Sequence, residues 1–380
     1  MHILLISEFF PDLKNPVFSG GVEARCYFTS LYLSKMNAVT VIARRRKGEL
    51  GIEKKGSLTV CRLGPYISSP TASVASIFSR ISFLWQAIRF SATLKPDLVE
   101  GSNYVTFLSA FVIGMYKKIP KVAWYPDVLK GKWVKEFGIL SGIIGEVSES
   151  IFLRLPWNKV ITISETARKR LVKAGMKKSK IEVVHCGVDT KNTKTAIKHK
   201  KKQFIVVSRL VPYKRVNWVI KAFKELEKNL AGYTLLIVGE GSEEKRLKKI
   251  VRELELEEKI KFVSRVSAAQ LSQEIASSKV LIHPSIIEGF GIVLVEAAAL
   301  GTPFIAADIS TSKFLKNSLE SGEVFKKDSF GDFLKTIKKV LTDESILQQM
   351  GKLGIRNARK FDWNDLSKKT EVVYKQSLLS

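Results

Sequence analysis

Short runs rich in Val, Ile and Leu recur along this chain with helix-period stretches between them, and the alternation breaks once, at a lysine-rich run, before it resumes. In the first half, residues 2–7, 38–43, 58–62, 97–100, 121–125, 159–163 and 181–185 read as strands, with helical patterns such as 22–36 and 72–94 between them. After the break, 204–207, 233–238, 261–263, 280–283 and 303–307 read as strands, separated by helical patterns such as 215–230 and 243–254. Strand, helix, strand in repetition builds parallel sheets covered by helices, so the sequence predicts two α/β domains. The run 190–202, with six Lys and no apolar face, cannot pack and reads as the linker. From residue 329 onward the pattern is mostly helical, with Phe361, Trp363 and Tyr374 as expected packing anchors. Ligands of open α/β sheets bind at the carboxyl ends of the strands, so two such domains suggest a cleft between them.

Composition narrows the functional classes. With 380 residues, 45% hydrophobic and 26% charged, the chain is too long for one ordinary core and has globular composition. Three cysteines, Cys26, Cys61 and Cys186, form neither a disulfide framework nor a metal-type pair, which points to a reducing compartment. Residues 1–12 lack a basic leader and carry Glu8 and Asp12, so they read as a buried strand and not as a signal peptide. Net charge is +27, and residues 1–190 carry 28 basic against 14 acidic groups. Nucleic acid, anionic lipid or a phosphorylated small molecule would all be attracted to such a surface. The chain shows none of the helix-turn-helix, zinc-finger or aromatic RNA-binding signatures, so no nucleic-acid partner is expected.

The most informative stretch is H-P-S-I-I-E-G-F-G-I-V-L-V-E-A-A-A-L-G-T-P, residues 283–303. A strand ends near His283, Glu288 lies in the loop, Gly289, Phe290 and Gly291 follow, and a helix starts. The first-turn amides of Ile292, Val293 and Leu294 are expected to point out unpaired, where a phosphate can bind. Glu296 falls inside the helix, so the two carboxylates can hold different parts of one ligand. A second element, V-S-R-L-V-P-Y-K-R at 207–215, places the cations Arg209 and Lys214 at the end of a strand, as a diphosphate requires. A third, Ser19-Gly20-Gly21, opens a helix after the first strand and lets a ligand approach the backbone. It is not G-x-G-x-x-G, which weakens a dinucleotide-dependent oxidoreductase reading. The four histidines are dispersed and no Asp-x-Asp occurs, so no metal site is expected.

These motifs, together with I-T-I-S at 161–164 and H-C-G-V-D at 185–189, resemble the retaining glycosyltransferases of family 4, in the same order and over nearly the whole chain. The resemblance implies the GT-B fold, an α/β architecture of two Rossmann-like domains facing across a cleft. Its parts would be a first domain at 1–190, a linker at 191–202, a nucleotide-sugar domain at 203–360, and a C-terminal helix at 361–380 that crosses back onto the first domain. It further implies a UDP-sugar or GDP-sugar donor with no cofactor. Arg209 and Lys214 would hold its diphosphate, Glu288 its sugar hydroxyls, Glu296 its ribose, and Ser264, Arg265 and Val266 its base, while Gly20 and Gly21 close over the phosphates. Many members carry a His after the fifth first-domain strand; here the stretch reads V-A-W-Y-P-D, and Asp127 is the candidate catalytic-side group by position. The other classes weighed are a GT-B-like sugar-nucleotide epimerase and a basic nucleic-acid-binding protein.

The segment 76–94 is unusually apolar, with Ile77, Ile81, Leu84, Trp85 and Ile88 on one face, so it is either core or a membrane-surface helix. With Arg44-Arg45-Arg46-Lys47, Lys117-Lys118 and the lysines of 130–135, it suggests a lipid-linked or cell-envelope glycan acceptor. It also suggests a cytoplasmic protein able to sit peripherally on the anionic inner face of a membrane.

Overall fold

In the computed structural model all residues are described except 15, 19, 46–50, 67–73, 135–137, 191–199, 228–230, 265 and 380. Two compact units emerge, Met1–Cys186 with Trp363–Ser380, and Gly187–Asp362. Among the described residues no helix is long and apolar enough to cross a membrane. All three cysteines are free and buried.

The first unit is built on β1 (His2–Ser7), β2 (Ala38–Arg44), β3 (Ile52–Lys55), β4 (Leu58–Leu63), β5 (Leu98–Gly101), β6 (Lys121–Tyr125), β7 (Lys159–Thr162) and β8 (Ile181–Val183). They form one sheet in the order β3-β4-β2-β1-β5-β6-β7-β8. All pairings are parallel except β3 with β4. The central strands are buried on both faces, so β1 reads Ile3, Leu4, Leu5, Ile6 without alternation. The sequence pattern missed β3 because I-E-K-K is a charged edge strand with no buried face.

The register of β1 with β2 sets Ser7 beside Ala43 and so brings Glu8 to Arg44. Arg44 is 3% exposed and donates to Glu8 Oε1 at 2.8 Å and to Ser79 Oγ at 2.8 Å. The expectation that Arg44 faces an anionic surface is therefore wrong: the pairing register buries it. Arg45 is exposed, and residues 46–47 lie outside the described residues. Helix Val74–Ser91 turns Phe83 and Ala87 to the core and pairs Arg80 with Glu8 at 2.7 Å, leaving Phe78, Ile81 and Trp85 outside.

The last helix, Trp363–Leu378, belongs to the first unit, where Trp363 stacks on Phe28 at 5.6 Å. Its Tyr374 hydroxyl donates to Glu100 Oε2 at 2.6 Å. The same carboxylate is gripped by both terminal nitrogens of Arg25, whose guanidinium lies 4.9 Å from the Trp124 ring centroid. Ser102 Oγ donates to it as well, at 3.0 Å. Burial opposes the charge on Arg25, but Glu100 outweighs it and raises the Arg25 pKa above its ordinary value.

The second unit carries β9 (Gln203–Val207), β10 (Thr234–Val238), β11 (Ile260–Val263), β12 (Val280–His283), β13 (Phe304–Ala307) and β14 (Gly322–Phe325). All pairs are parallel, in the order β11-β10-β9-β12-β13-β14. Where the chain enters and leaves this unit, Val188 N donates to Phe361 O at 2.9 Å, which ties the two passages side by side. The linker's far end is anchored too: Lys200 Nζ donates to Ala276 O and Thr302 Oγ1, both at 2.8 Å.

Removing Glu100 leaves a buried guanidinium without its counter-charge, so Glu100→Ala is expected to destabilise the first unit by about 3–5 kcal/mol in urea unfolding. Tyr374→Phe, which removes one neutral donor, should cost about 1–2 kcal/mol. Equal small effects from both would show that the network carries little of the stability.

Candidate active site

In the second unit the chain lays β10 and β11 on one side of β9, then β12, β13 and β14 on the other. Loops leaving β9 and β12 diverge at such a reversal and open a crevice at the strands' carboxyl ends. Arg209 and Lys214 sit in the loop after β9, and Glu288 in the loop after β12.

Three backbone bonds set the first loop against the loop after β10: Ser208 N to Val238 O at 3.1 Å, Leu210 N to Glu240 O at 2.8 Å, and Glu243 N to Leu210 O at 2.9 Å. This approach needs glycine. A Cβ at Gly239 or Gly241 would overlap the carbonyl oxygen of Ser208 or Leu210, and Gly239 also has φ 144°. Pro212–Lys214 then forms a single 3-10 turn, and Ile286 N donates to Tyr213 O at 3.1 Å, joining the β9 loop to the β12 loop.

The join places charge. Lys214 Nζ donates to Glu288 Oε1, and His283 Nε2, at the end of β12, donates to the same oxygen at 2.6 Å. Burial alone would raise the Glu288 carboxyl, but Lys214 and His283 reverse this and hold it well below the usual carboxylate range. Its Oε2 has no partner among the described residues, so a fixed carboxylate oxygen remains for a donor group. The ammonium of Lys214 has three donors and spends one on Glu288, which orients the other two. Arg209 is exposed, bonds Tyr213 Oη at 2.5 Å, and has no acid partner among the described residues.

Gly291, at φ 89°, opens helix Ile292–Ala299. Of the three amides expected to be free, those of Ile292 and Val293 have no partner among the described residues. Leu294 N instead donates to Gly291 O at 3.0 Å. The first turn is wound as a 3-10 turn, which consumes that third donor. Phe290 is buried, its ring centroid 5.8 Å from that of Phe361, so its side chain serves the core. Glu296 lies inside the helix with no partner among the described residues, and burial pushes its carboxyl up to about 7. Ser264 is exposed and Val266 half-buried beyond β11, and Arg265 lies outside the described residues.

Gly20, Gly21 and Asp127 belong to the first unit, and Ser19 lies outside the described residues. Gly20 precedes helix Gly21–Leu33 in extended backbone, and a Cβ there would meet nothing within 4 Å. The fold itself does not require glycine at that position. The Asp127 carboxylate is engaged: Oδ1 accepts from Val128 N at 2.8 Å and Oδ2 from Arg170 at 2.5 Å. Sequence reasoning missed His283 and the Gly239-Glu240-Gly241 turn. The available signals were a His ending the strand five residues before Glu288, and a glycine pair directly after β10.

The raised Glu296 carboxyl makes the stability of the second unit depend on pH. A carboxyl raised from 4.5 to about 7 binds more protons folded than unfolded. Its stabilising effect is therefore full below about pH 4.5 and is lost as pH rises through 7. Glu296→Gln should be about 1–3 kcal/mol more stable than the parent at pH 8 and show no difference at pH 4, read from urea unfolding at each pH.

The chain is similar to known proteins over both units. Glycosyl transferases group 1 matches residues 188–358, and Glycosyltransferase Family 4 matches residues 19–192. The O-antigen chain mannosyltransferase RfbU of Salmonella typhimurium is 34% identical over 152 residues, 40% of this chain and 42% of that one. The chain spans about half the length of curated relatives of this kind. Among solved structures, the sucrose-phosphate synthase from Thermosynechococcus elongatus superposes with a TM-score of 0.83 at 18% identity, over 99% of this chain and 98% of that one. Anabaena HepE in complex with UDP-glucose superposes at 0.77 with 17% identity, over 99% of this chain and 100% of that one. With two adjoining family matches running from residue 19 to residue 358 over two parallel-sheet units, the chain belongs to the family 4 glycosyltransferases of GT-B fold.

Proposed function

We infer that the protein is a retaining, metal-independent glycosyltransferase that moves a sugar from a UDP-sugar or GDP-sugar to a lipid-linked or cell-envelope glycan. The observation that carries this reading is the convergence of Lys214, Glu288 and His283 at the β9–β12 reversal, beside Arg209 and two free amides. The UDP-glucose held by the HepE structure and the O-antigen role in the RfbU name support the donor class and the acceptor class.

In this reading the diphosphate lies between Arg209, Lys214 and the amides of Ile292 and Val293. Glu288 Oε2 accepts from a sugar hydroxyl, Glu296 faces the ribose, and the loop 264–266 faces the base. As the bond from the anomeric carbon to the phosphate oxygen breaks, its electron pair stays on that oxygen. The two cations and the helix N-terminus stabilise the growing charge, the task a metal ion would otherwise serve. The acceptor hydroxyl adds to the same face of the sugar and passes its proton to the departing phosphate oxygen, which makes a strong protein base unnecessary. Asp127, held by Arg170 and Val128, positions the loop after β6 on the acceptor side.

Arg209→Ala and Lys214→Ala are each expected to slow transfer by about 2–4 kcal/mol of transition-state stabilisation, with no loss of wild-type rate in EDTA. A wild-type rate that collapses in EDTA and returns only with magnesium or manganese would overturn the metal-free assignment. The two acids should fail differently when made Gln. Glu288→Gln lowers transfer while calorimetry still shows free nucleotide binding, whereas Glu296→Gln weakens nucleotide binding itself. Equal loss of nucleotide affinity in both would mean that the roles are wrongly divided.

A further inference from the structure

Helix Ile139–Phe152 of the first unit is amphipathic in the reverse sense for a surface helix. Its two charged residues face the protein. Glu149 is fully buried and accepts from Tyr125 Oη at 3.0 Å, Leu129 N at 3.1 Å and Trp133 Nε1 at 2.6 Å. Glu146 accepts from Gly131 N at 2.7 Å and Trp133 N at 3.2 Å. Two glycines complete this inner face: a Cβ at Gly142 would overlap the Val134 backbone, and one at Gly145 the Trp133 ring. Close packing and satisfied hydrogen bonds thus fix the rotation of the helix about its axis.

That rotation leaves the aliphatic residues outside. Ile139, Leu140, Ile143, Ile144, Val147 and Ile151, spaced at helical period, are between 45% and 74% exposed. Single exposed apolar residues are ordinary, but a full stripe on a helix whose carboxylates point inward calls for an apolar partner. The neighbouring helices continue it. Tyr104–Lys117 packs against this helix and exposes Leu108 and Met115, and Val74–Ser91 packs against Tyr104–Lys117 and exposes Phe78, Ile81 and Trp85. Lys130 and Lys132, in the loop that lies along Glu146 and Glu149, and Arg154, two residues past the helix, have no acid partner among the described residues. An uncharged aliphatic stripe, with cations that have no acid partner gathered beside the C-terminal half of the same helix, matches the boundary between anionic headgroups and acyl chains.

We propose that the outer face of helix Ile139–Phe152 is the docking surface of this protein for an anionic lipid bilayer, with the isoleucines entering the acyl boundary and Lys130, Lys132 and Arg154 meeting the headgroups. This face rests on the lipid-linked acceptor reading for its purpose, and it replaces Arg44 as the point of contact. Because apolar insertion carries the attachment, it survives salt that would remove a purely basic surface.

The test is co-sedimentation of the full chain with phosphatidylcholine vesicles, with and without phosphatidylglycerol, over a salt series. Wild type is expected to bind the anionic vesicles and to stay partly bound at high salt. Ile143→Gln/Ile144→Gln/Val147→Gln should bind roughly tenfold or more weakly, with unchanged thermal midpoint and donor hydrolysis, since these side chains touch neither core nor donor site. A second readout needs no loss of binding: an environment-sensitive fluorophore on Ile144→Cys should shift to the blue when anionic vesicles are added. Equal binding by wild type and variant, no spectral shift, or a dimer in sedimentation velocity that the substitutions dissolve would each overturn the proposal, the last by showing that a second copy covers the face. The two readings fail separately: transfer to a lipid-linked acceptor with vesicle binding indifferent to the substitutions defeats only the docking face, and docking without any such transfer defeats only the acceptor class.

Discussion

Parallel strands can be joined only by crossovers that carry the chain back along the sheet, so every strand-to-helix loop leaves from the same edge. Each unit obeys this, and each reverses its direction of growth once, between β1 and β5 in the first and between β9 and β12 in the second. In the second unit the reversal decides which loops meet. Arg209 and Glu288 are far apart in sequence, yet their strands are hydrogen-bonded neighbours, and a bond from Ile286 to Tyr213 closes the gap between the loops. The lysine, the acid and the histidine share one oxygen because of that topology.

Two carboxylates eight residues apart are driven in opposite directions by their surroundings. Glu288 has two cationic partners that outweigh its burial, whereas Glu296 has burial and no described partner. One acid therefore stays ionised under all ordinary conditions, and the other is poised near neutrality. Identical side chains acquire different chemistry because one lies in a loop beside a second loop and the other on a helix over the sheet.

The same logic separates the basic residues. The charge of the first unit divides into guanidinium groups that work inside it and cations that remain outside. Arg25, Arg44 and Arg62 are all buried and are satisfied by Glu100, Glu8 and Glu53. Their removal from the surface tally leaves the lysines as its main exposed charge. The attraction a polyanion would feel is set by those lysines and not by the sum over the sequence.

The alternation of apolar runs with helical periods was enough to predict two parallel α/β units, because continuous burial on both faces of a strand leaves a plain compositional trace. The spacing of Glu288, Gly291 and Glu296, and of Arg209 and Lys214, likewise marked a strand-to-helix turn suited to a diphosphate. Edge strands such as β3 left no such trace, since a charged strand with no buried face looks like a loop. Sequence could not show that Arg44 is buried, because that depends on the register bringing Glu8 beside it. Nor could it reveal that His283 shares the Glu288 oxygen, or that Leu294 loses its free amide to a 3-10 turn. The rotation of helix Ile139–Phe152 was equally hidden: a helical period gives two faces, and the hydrogen bonds of Glu146 and Glu149, with the close packing at Gly142 and Gly145, decide which of them turns inward. Local periodicity determines which elements form, because it depends on neighbours in the chain; partners, charge states and exposed faces are decided by residues distant in sequence, which only the tertiary structure brings together.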